Sequence, residues 1–134
     1  DRQQVAEELS CIMGQRLIRK LCTNCKEEVQ PSPKLLSKLN VSSPEQVNFF
    51  KAVGCDRCFG TGYKGRTALF EVLFVEKNVS DFIANKKISL KGLKKVTSGT
   101  KVYRRFYRDA LSKVKAGETT LKEVKRVLNA GRGG

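Results

Sequence analysis

The chain has 134 residues, 40% apolar and 30% charged, enough for one modest domain with its own core and ordinary for a soluble globular chain. No apolar run approaches the roughly 18 residues of a membrane-spanning helix, and no signal-peptide pattern opens the chain. The complete absence of His removes imidazole from acid–base, triad and metal chemistry alike.

The net charge of +14 is unevenly placed: residues 1–85 carry 12 Lys/Arg against 10 Asp/Glu, and residues 86–134 carry 15 against 3. So basic a half attracts something acidic, whether nucleic acid, anionic lipid or an acidic protein surface, or else forms a solvated face that keeps the domain soluble. Five cysteines, an odd number, point to a reducing compartment rather than a disulfide framework. The chain starts at Asp1 without Met and enters helical periodicity at once, as a fragment of a longer protein would.

In chain order, Val5, Leu9, Ile12, Met13 and Leu17 recur at steps of three and four, which predicts one helix from Gln3 to about Leu21. Cys11 would then be a small buried hydrophobe on that helix. Residues 22–33, with a cysteine pair, Pro31 and Pro33, read as loop. Lys34–Leu39 reads as a short helix, with Ser32 as its cap and Pro33 at its first position. Ser43 and Pro44 start another, running through Val47, Phe50 and Lys51.

Thr67–Val75, "TALFEVLFV", is rich in strand formers and predicts a strand. Val79–Ala84 reads as a helical turn, and residues 86–102 carry no clear pattern. Tyr103–Ala116 is helical by Tyr103, Phe106, Tyr107, Ala110, Leu111 and Val114. Gly117 sits where a helix ends in a left-handed residue. Thr120 and Glu123 make a capping box for a last helix with the apolar face Leu121, Val124, Val127 and Leu128. The terminal Gly-Arg-Gly-Gly reads as a frayed tail.

Four of the cysteines form two C-x-x-C pairs, Cys22 with Cys25 and Cys55 with Cys58, with 29 residues between the pairs. Two residues inside a pair let both thiolates face one ion, and the intervening loop brings the second pair round. Four thiolates without His suit Zn2+ in a closed structural site. Lys20, Lys26, Arg57, Lys64 and Arg66 are close enough in sequence to offset the negative charge of such a centre. Redox-active pairs or unligated thiols are the alternatives.

Gly60, Gly62 and Gly65 spell G-x-G-x-x-G, yet a dinucleotide loop follows a strand and opens a helix, and this one follows a cysteine pair and precedes a strand. The glycines instead suit the tight turns of a metal knuckle. No Walker sequence is present. Glu71 and Asp109 could act as bases only with partners that the sequence does not reveal, so no catalytic or nucleotide-binding residue is assigned.

The segments "GQRLIRKLCTNCKE" and "FFKAVGCDRCFGTGYKGRTALFEVL" resemble the C-terminal part of the type II secretion and type IV pilus assembly ATPases. There a helix ending in Gln-Arg-Leu leads into Leu-Cys-x-x-Cys, and a second knuckle reads Gly-Cys-x-x-Cys-x-Gly-Thr-Gly-Tyr-x-Gly-Arg. "RDALSKVKAGETTLKEVKRVL" is similar to the closing segment of that family. Residues 86–104 fit it poorly, and Ala110 replaces its usual Gly.

The resemblance implies a cytoplasmic hexameric traffic ATPase, peripheral at the inner membrane, whose partners are neighbouring subunits and a membrane platform protein. It implies a structural zinc on Cys22, Cys25, Cys55 and Cys58. ATP and Mg2+ would be held only by the parent protein, whose P-loop and acidic motifs would lie upstream of Asp1. The fragment alone would then not be an enzyme.

The expected fold is α+β: a small zinc-stabilised module with flanking helices and a short β segment, then a mostly helical C-terminal part. The expected division is a helix at the end of a motor core (1–21), the tetracysteine module (22–66), and a strand plus basic helical subdomain (67–134).

Two rival readings share the residues. A nucleic-acid-binding zinc ribbon could stack bases on Tyr103, Phe106 and Tyr107 between Arg104, Arg105 and Arg108; the spacing of those aromatics equally suits a buried helix face. A DnaJ-type cysteine-rich domain shares Cys-x-x-Cys-x-Gly-x-Gly at Cys55–Gly62, but Cys22–Cys25 lacks the trailing glycines.

Overall fold

A computed structural model describes residues 1–38, 48–85, 87–98 and 103–130. The fold is mixed α+β. In chain order it has α1 (Arg2–Glu8), β1 (Cys11–Leu21), β2 (Glu27–Glu28), α2 (Pro33–Lys38), β3 (Phe50–Lys51), a 3-10 turn (Asp56–Cys58), β4 (Tyr63–Phe74), α3 (Lys77–Ala84), α4 (Leu90–Thr97), β5 (Tyr103–Arg104), α5 (Phe106–Lys115) and α6 (Leu121–Ala130). One sheet has the order β1–β4–β5, and β2 pairs with β3. Glu27 faces Lys51 and Glu28 faces Phe50, antiparallel.

The helix expected from Gln3 to Leu21 is a short helix followed by a long strand. Asp1 caps α1, its carboxylate accepting from Gln3 N–H at 3.0 Å. The helix ends at Glu8, where Leu9 turns to extended backbone. Beyond it the apolar residues that seemed helically spaced are not on one buried face: Ile12, Met13 and Leu17 are about half exposed, and Ile18 and Leu21 are buried. The β-branched Ile12 and Ile18 suit a strand, and pairing in the sheet overrides a weak period of three to four. Cys11 accordingly opens β1 exposed, not buried on a helix.

Two compact units are built from non-contiguous chain. Unit 1 comprises Asp1–Gln15 and Phe70–Arg105. Its core is Leu73 and Val79, packed by Val75, Ile83, Leu93, Val96 and Tyr103. α1 and α4 both pack on α3, and Ser80 Oγ donates to Ala6 O at 2.7 Å. The patternless segment 86–102 contains α4, capped by Ser89 Oγ accepting from Gly92 N–H. Tyr103 and Arg104 do not begin a helix. They pair antiparallel with Leu73 and Val72, where an aromatic side chain fits a half-buried sheet.

Unit 2 comprises Arg16–Leu69 and Phe106–Gly134. Ile18, Phe49, Leu69, Ala110, Val114, Val124 and Val127 form its core, and Phe106, Leu111, Leu121 and Leu128 pack against it. Ser32 Oγ accepts from Leu35 N–H as expected; of the expected capping box one half forms, Thr120 Oγ1 accepting from Glu123 N–H, while the Glu123 carboxylate goes to Arg19 and Arg126. Phe50 and Lys51 lie in a strand, not at the end of a helix, and Asn48 and Phe49 before them are not helical; residues 43–47 of that expected helix, and the Gly-Arg-Gly-Gly tail, lie outside the described residues.

Candidate metal centre

The two cysteine pairs, 29 residues apart in sequence, meet in unit 2. The four Sγ atoms all lie within 4.8 Å of one another. Cys22–Cys55 is 3.9 Å, Cys25–Cys58 is 3.8 Å and Cys55–Cys58 is 3.7 Å. A tetrahedron with Zn–S bonds of about 2.3 Å has edges of about 3.8 Å. The donor set, its spacing and its softness therefore fit a tetrahedral thiophilic ion.

Local backbone geometry makes this cluster. In the first pair, Cys25 N–H and Lys26 N–H both return to Cys22 O, at 3.3 and 3.0 Å. In the second, Cys58 N–H and Gly60 N–H return to Cys55 O, at 3.1 and 2.9 Å. Each C-x-x-C is thus a closed turn that points both sulfurs one way. A link between the turns, Cys22 N–H to Gly62 O at 2.9 Å, fixes their spacing.

The glycine expectation has a specific cause at two positions. Gly54 has φ +115°, and a Cβ there would stand 2.5 Å from Gly60 O. Gly62 has φ +77°, and a Cβ would stand 2.7 Å from Ala52 Cβ. At Gly54 backbone meets backbone, and at Gly62 backbone meets the Ala52 side chain, at distances that no added Cβ permits. Phe59 alone among the described non-glycine residues takes positive φ, at 54°, and its side chain is 93% exposed.

The sulfurs sit in a field of N–H donors. Gly54 N–H reaches Cys25 Sγ at 3.3 Å, Cys55 N–H and Gly62 N–H each reach Cys58 Sγ at 3.2 Å, and the Asn24 amide reaches Cys55 Sγ at 3.4 Å. Such donors stabilise negative sulfur and hold it in place. Lys26, a candidate for offsetting charge at the centre, is turned elsewhere. Its Nζ donates to Gly117 O at 2.9 Å and stands 4.1 Å from the Phe50 ring centroid.

Cys25, Cys55 and Cys58 hold protons unequally. Burial pushes the Cys25 thiol up to about 12, against the pull of Gly54 N–H. Burial opposes ionisation of Cys58 too, but there the N–H groups of Cys55 and Gly62 prevail and bring it down to about 6. The Asn24 amide leads the lowering at Cys55. A soft dication that displaces protons from all four suits this mixed, crowded donor set.

Unit 2 also holds an ion-pair network that the sequence reading missed. Glu123, 1% exposed, is clamped by two arginines. Arg19 donates through Nη2 at 2.8 Å and through its backbone N–H at 3.1 Å. Arg126 donates through Nε at 2.8 Å and Nη2 at 2.6 Å. The Arg19 guanidinium also stacks 4.3 Å from the Tyr63 ring centroid. Hydrogen bonds from Arg126, followed by those from Arg19, outweigh burial and hold the Glu123 carboxyl at about 2.

The other candidates are dispersed. Glu71 accepts from the Tyr103 hydroxyl, and Asp109 lies half-buried in α5. The aromatic set proposed for base stacking is split between elements: Tyr103 packs in β5, Phe106 packs on the core of unit 2, and Tyr107 remains half exposed. Among the described residues no helix is long and apolar enough to cross a membrane.

Comparisons with known proteins identify the family. Residues 1–126 match the family described as Type II/IV secretion system protein. The chain is 39% identical over 124 residues to the Type IV pilus assembly ATPase PilB of Thermus thermophilus, covering 90% of this chain and 14% of that protein. It is 31% identical over 123 residues to the Type II secretion system ATPase E of Vibrio cholerae, covering 92% of this chain and 24% of that protein. The Type IV pilus assembly ATPase PilB of Acinetobacter baylyi is 31% identical over 130 residues, covering 93% and 22%. The chain thus spans about a seventh to a quarter of the length of these relatives. With nearly its whole length matched, the chain belongs to the type II/IV secretion system protein family.

Proposed function

We propose that this chain is the zinc-stabilised C-terminal part of a hexameric traffic ATPase that powers type II secretion or type IV pilus assembly. The observation that carries the metal half of this reading is the cluster of Cys22, Cys25, Cys55 and Cys58, with all Sγ atoms within 4.8 Å and three of its edges at tetrahedral lengths of 3.7, 3.8 and 3.9 Å. The names and coverage of the relatives support the motor half. In this reading Zn2+ supplies a cross-link between two distant turns, and residues 22–66 form a rigid arm between the end of a motor core and a basic C-terminal subdomain.

The role assigned to this part is structural and interactive. It has no Walker sequence and no His, so ATP and Mg2+ would be handled by a motor domain outside it. Its partners would be neighbouring ATPase subunits and the platform protein of the inner membrane, and the parent would then work in the cytoplasm, peripheral at that membrane. The excess of 15 basic over 3 acidic residues beyond position 85 suits an acidic partner surface.

Zinc binding in small cysteine modules contributes about 10–16 kcal/mol, most of it folding energy. That exceeds what residues 22–66 gain from their few buried side chains, so a strong chelator is expected to unfold them. Metal analysis should give one zinc per chain, and the amide spectrum of 22–66 should collapse when the ion is removed. An unchanged spectrum in metal-free protein, or iron in place of zinc, would refute the assignment.

A further inference from the structure

The end of a helix leaves carbonyl groups without intrahelical donors. At the end of α5 the turn's own amides close three of these, Ala116, Gly117 and Glu118 N–H on Ser112, Val114 and Lys113 O, and the carbonyls of Lys115, Gly117 and Glu118 are taken by residues that bracket the cysteines. Asn48 N–H donates to Lys115 O at 3.0 Å, Lys26 Nζ to Gly117 O at 2.9 Å, and Leu21 N–H to Glu118 O at 2.8 Å. The turn that follows is held as well. Thr119 Oγ1 donates to Arg19 O at 2.8 Å, and the hydroxyls of Thr120 and Tyr63 share a 2.8 Å hydrogen bond.

Packing leaves the turn no slack. Gly117 has φ +70°, and a Cβ on it would lie 2.6 Å from the Phe50 ring. The ammonium of Lys26 also brings a positive charge to the negative end of the α5 dipole. Leu21 and Lys26 stand on either side of Cys22 and Cys25. Asn48, Phe50 and Tyr63 stand on either side of Cys55 and Cys58. The α5–α6 turn is therefore gripped by two jaws, each rooted in one cysteine turn.

We propose that the tetracysteine centre closes a clamp on residues 115–120, so that metal occupancy decides whether α6 is held in its packed place. The proposal rests on the metal reading above and goes beyond it, since it makes a helix pair distant in sequence answer to the ion. When the jaws part, the carbonyls of Lys115, Gly117 and Glu118 turn to water and α6 loses its fixed start. The exposed Lys122, Lys125 and Arg126 of α6 are then presented differently to any acidic partner.

The test is amide hydrogen exchange on the full chain, zinc-loaded, chelated, and as the Lys26→Met variant, with zinc content measured on each sample. In zinc-free protein the amides of Ala116, Gly117, Glu118 and Val124 should exchange roughly tenfold faster or more, the loss expected when one or two net hydrogen bonds go. Ser80 in α3 and Asn85 just after it should keep their rates. Lys26→Met keeps an apolar stem beside Phe50 and should still bind one zinc. It should speed the same four amides about three- to tenfold, with Cys22 and Gly62 unchanged.

If chelation speeds the cysteine turns but leaves residues 116–124 at their loaded rates, the clamp is refuted and the metal centre stands. If chelation unfolds all of unit 2, Lys26→Met decides: no acceleration in the zinc-loaded variant overturns the proposal. A chain that takes up no zinc refutes the metal reading itself, and the metal analysis shows this separately.

Discussion

Replacing Glu123 by Gln removes the charge from a carboxylate that is 1% exposed and clamped between Arg19 and Arg126. Its carboxyl is held at about 2 instead of an ordinary 4.5. Such a depression amounts to about 3 kcal/mol of stability at neutral pH. Water reaches both guanidinium groups, whose side chains are 42% and 56% exposed, and a solvated arginine finds other partners. Discounting for that gives about 2 kcal/mol for Glu123→Gln. In a chain of this size the melting midpoint of the zinc-loaded variant should fall by roughly 6–10 °C.

The pH dependence has a definite sign. A depressed carboxyl stabilises fully above its unfolded value of 4.5 and loses that contribution as the pH falls towards about 2. The gap between wild type and Glu123→Gln should therefore be constant near neutrality and shrink to under half by about pH 3. Acid also protonates the cysteines, so the difference between the two proteins isolates Glu123, and the slope of either alone does not. Urea midpoints across this range provide the measurement. A gap below about 0.5 kcal/mol at neutral pH, typical of exposed ion pairs, or one that stays constant into acid, would refute this account.

Two substitutions in the second cysteine turn should act in opposite directions. Phe59→Gly removes a left-handed strain from a side chain that buries nothing, and should raise stability by about 0.5–1 kcal/mol with zinc content unchanged; a lowered melting midpoint would contradict the strain argument. Gly54→Ala forces a Cβ to 2.5 Å from Gly60 O and displaces the N–H that donates to Cys25. It should cost about 2 kcal/mol or more and yield zinc to a chelator at lower concentration; wild-type retention of zinc would rule this out.

The clustering of the four cysteines was legible because residue type and spacing carry it. Cys22, Cys25, Cys55 and Cys58 announce a fourfold thiolate set, and their glycines announce tight turns, before any packing is known. The caps at Ser32 and Thr120 were legible for the same reason, since a cap is a local hydrogen bond. β1 was not. Ile12, Met13 and Leu17 fit a helical period by coincidence, and only the neighbouring strand decides against it. Tyr103 likewise follows its sheet partner Leu73 instead of the helix that begins three residues later. Glu123 looked like half of a capping box; its partner Arg19 lies 104 residues away, a separation that no local pattern encodes.

The division of the chain between its two units has a practical consequence. The polypeptide passes from one unit to the other three times: between Gln15 and Arg16, between Leu69 and Phe70, and between Arg105 and Phe106. The first two passages lie inside continuous strands, β1 and β4. There is thus no hinge loop at either place for a protease to find, and no single cut yields either unit whole. Expressing the tetracysteine unit by itself would require rejoining Arg16–Leu69 to Phe106–Gly134 with a designed connection, not truncation.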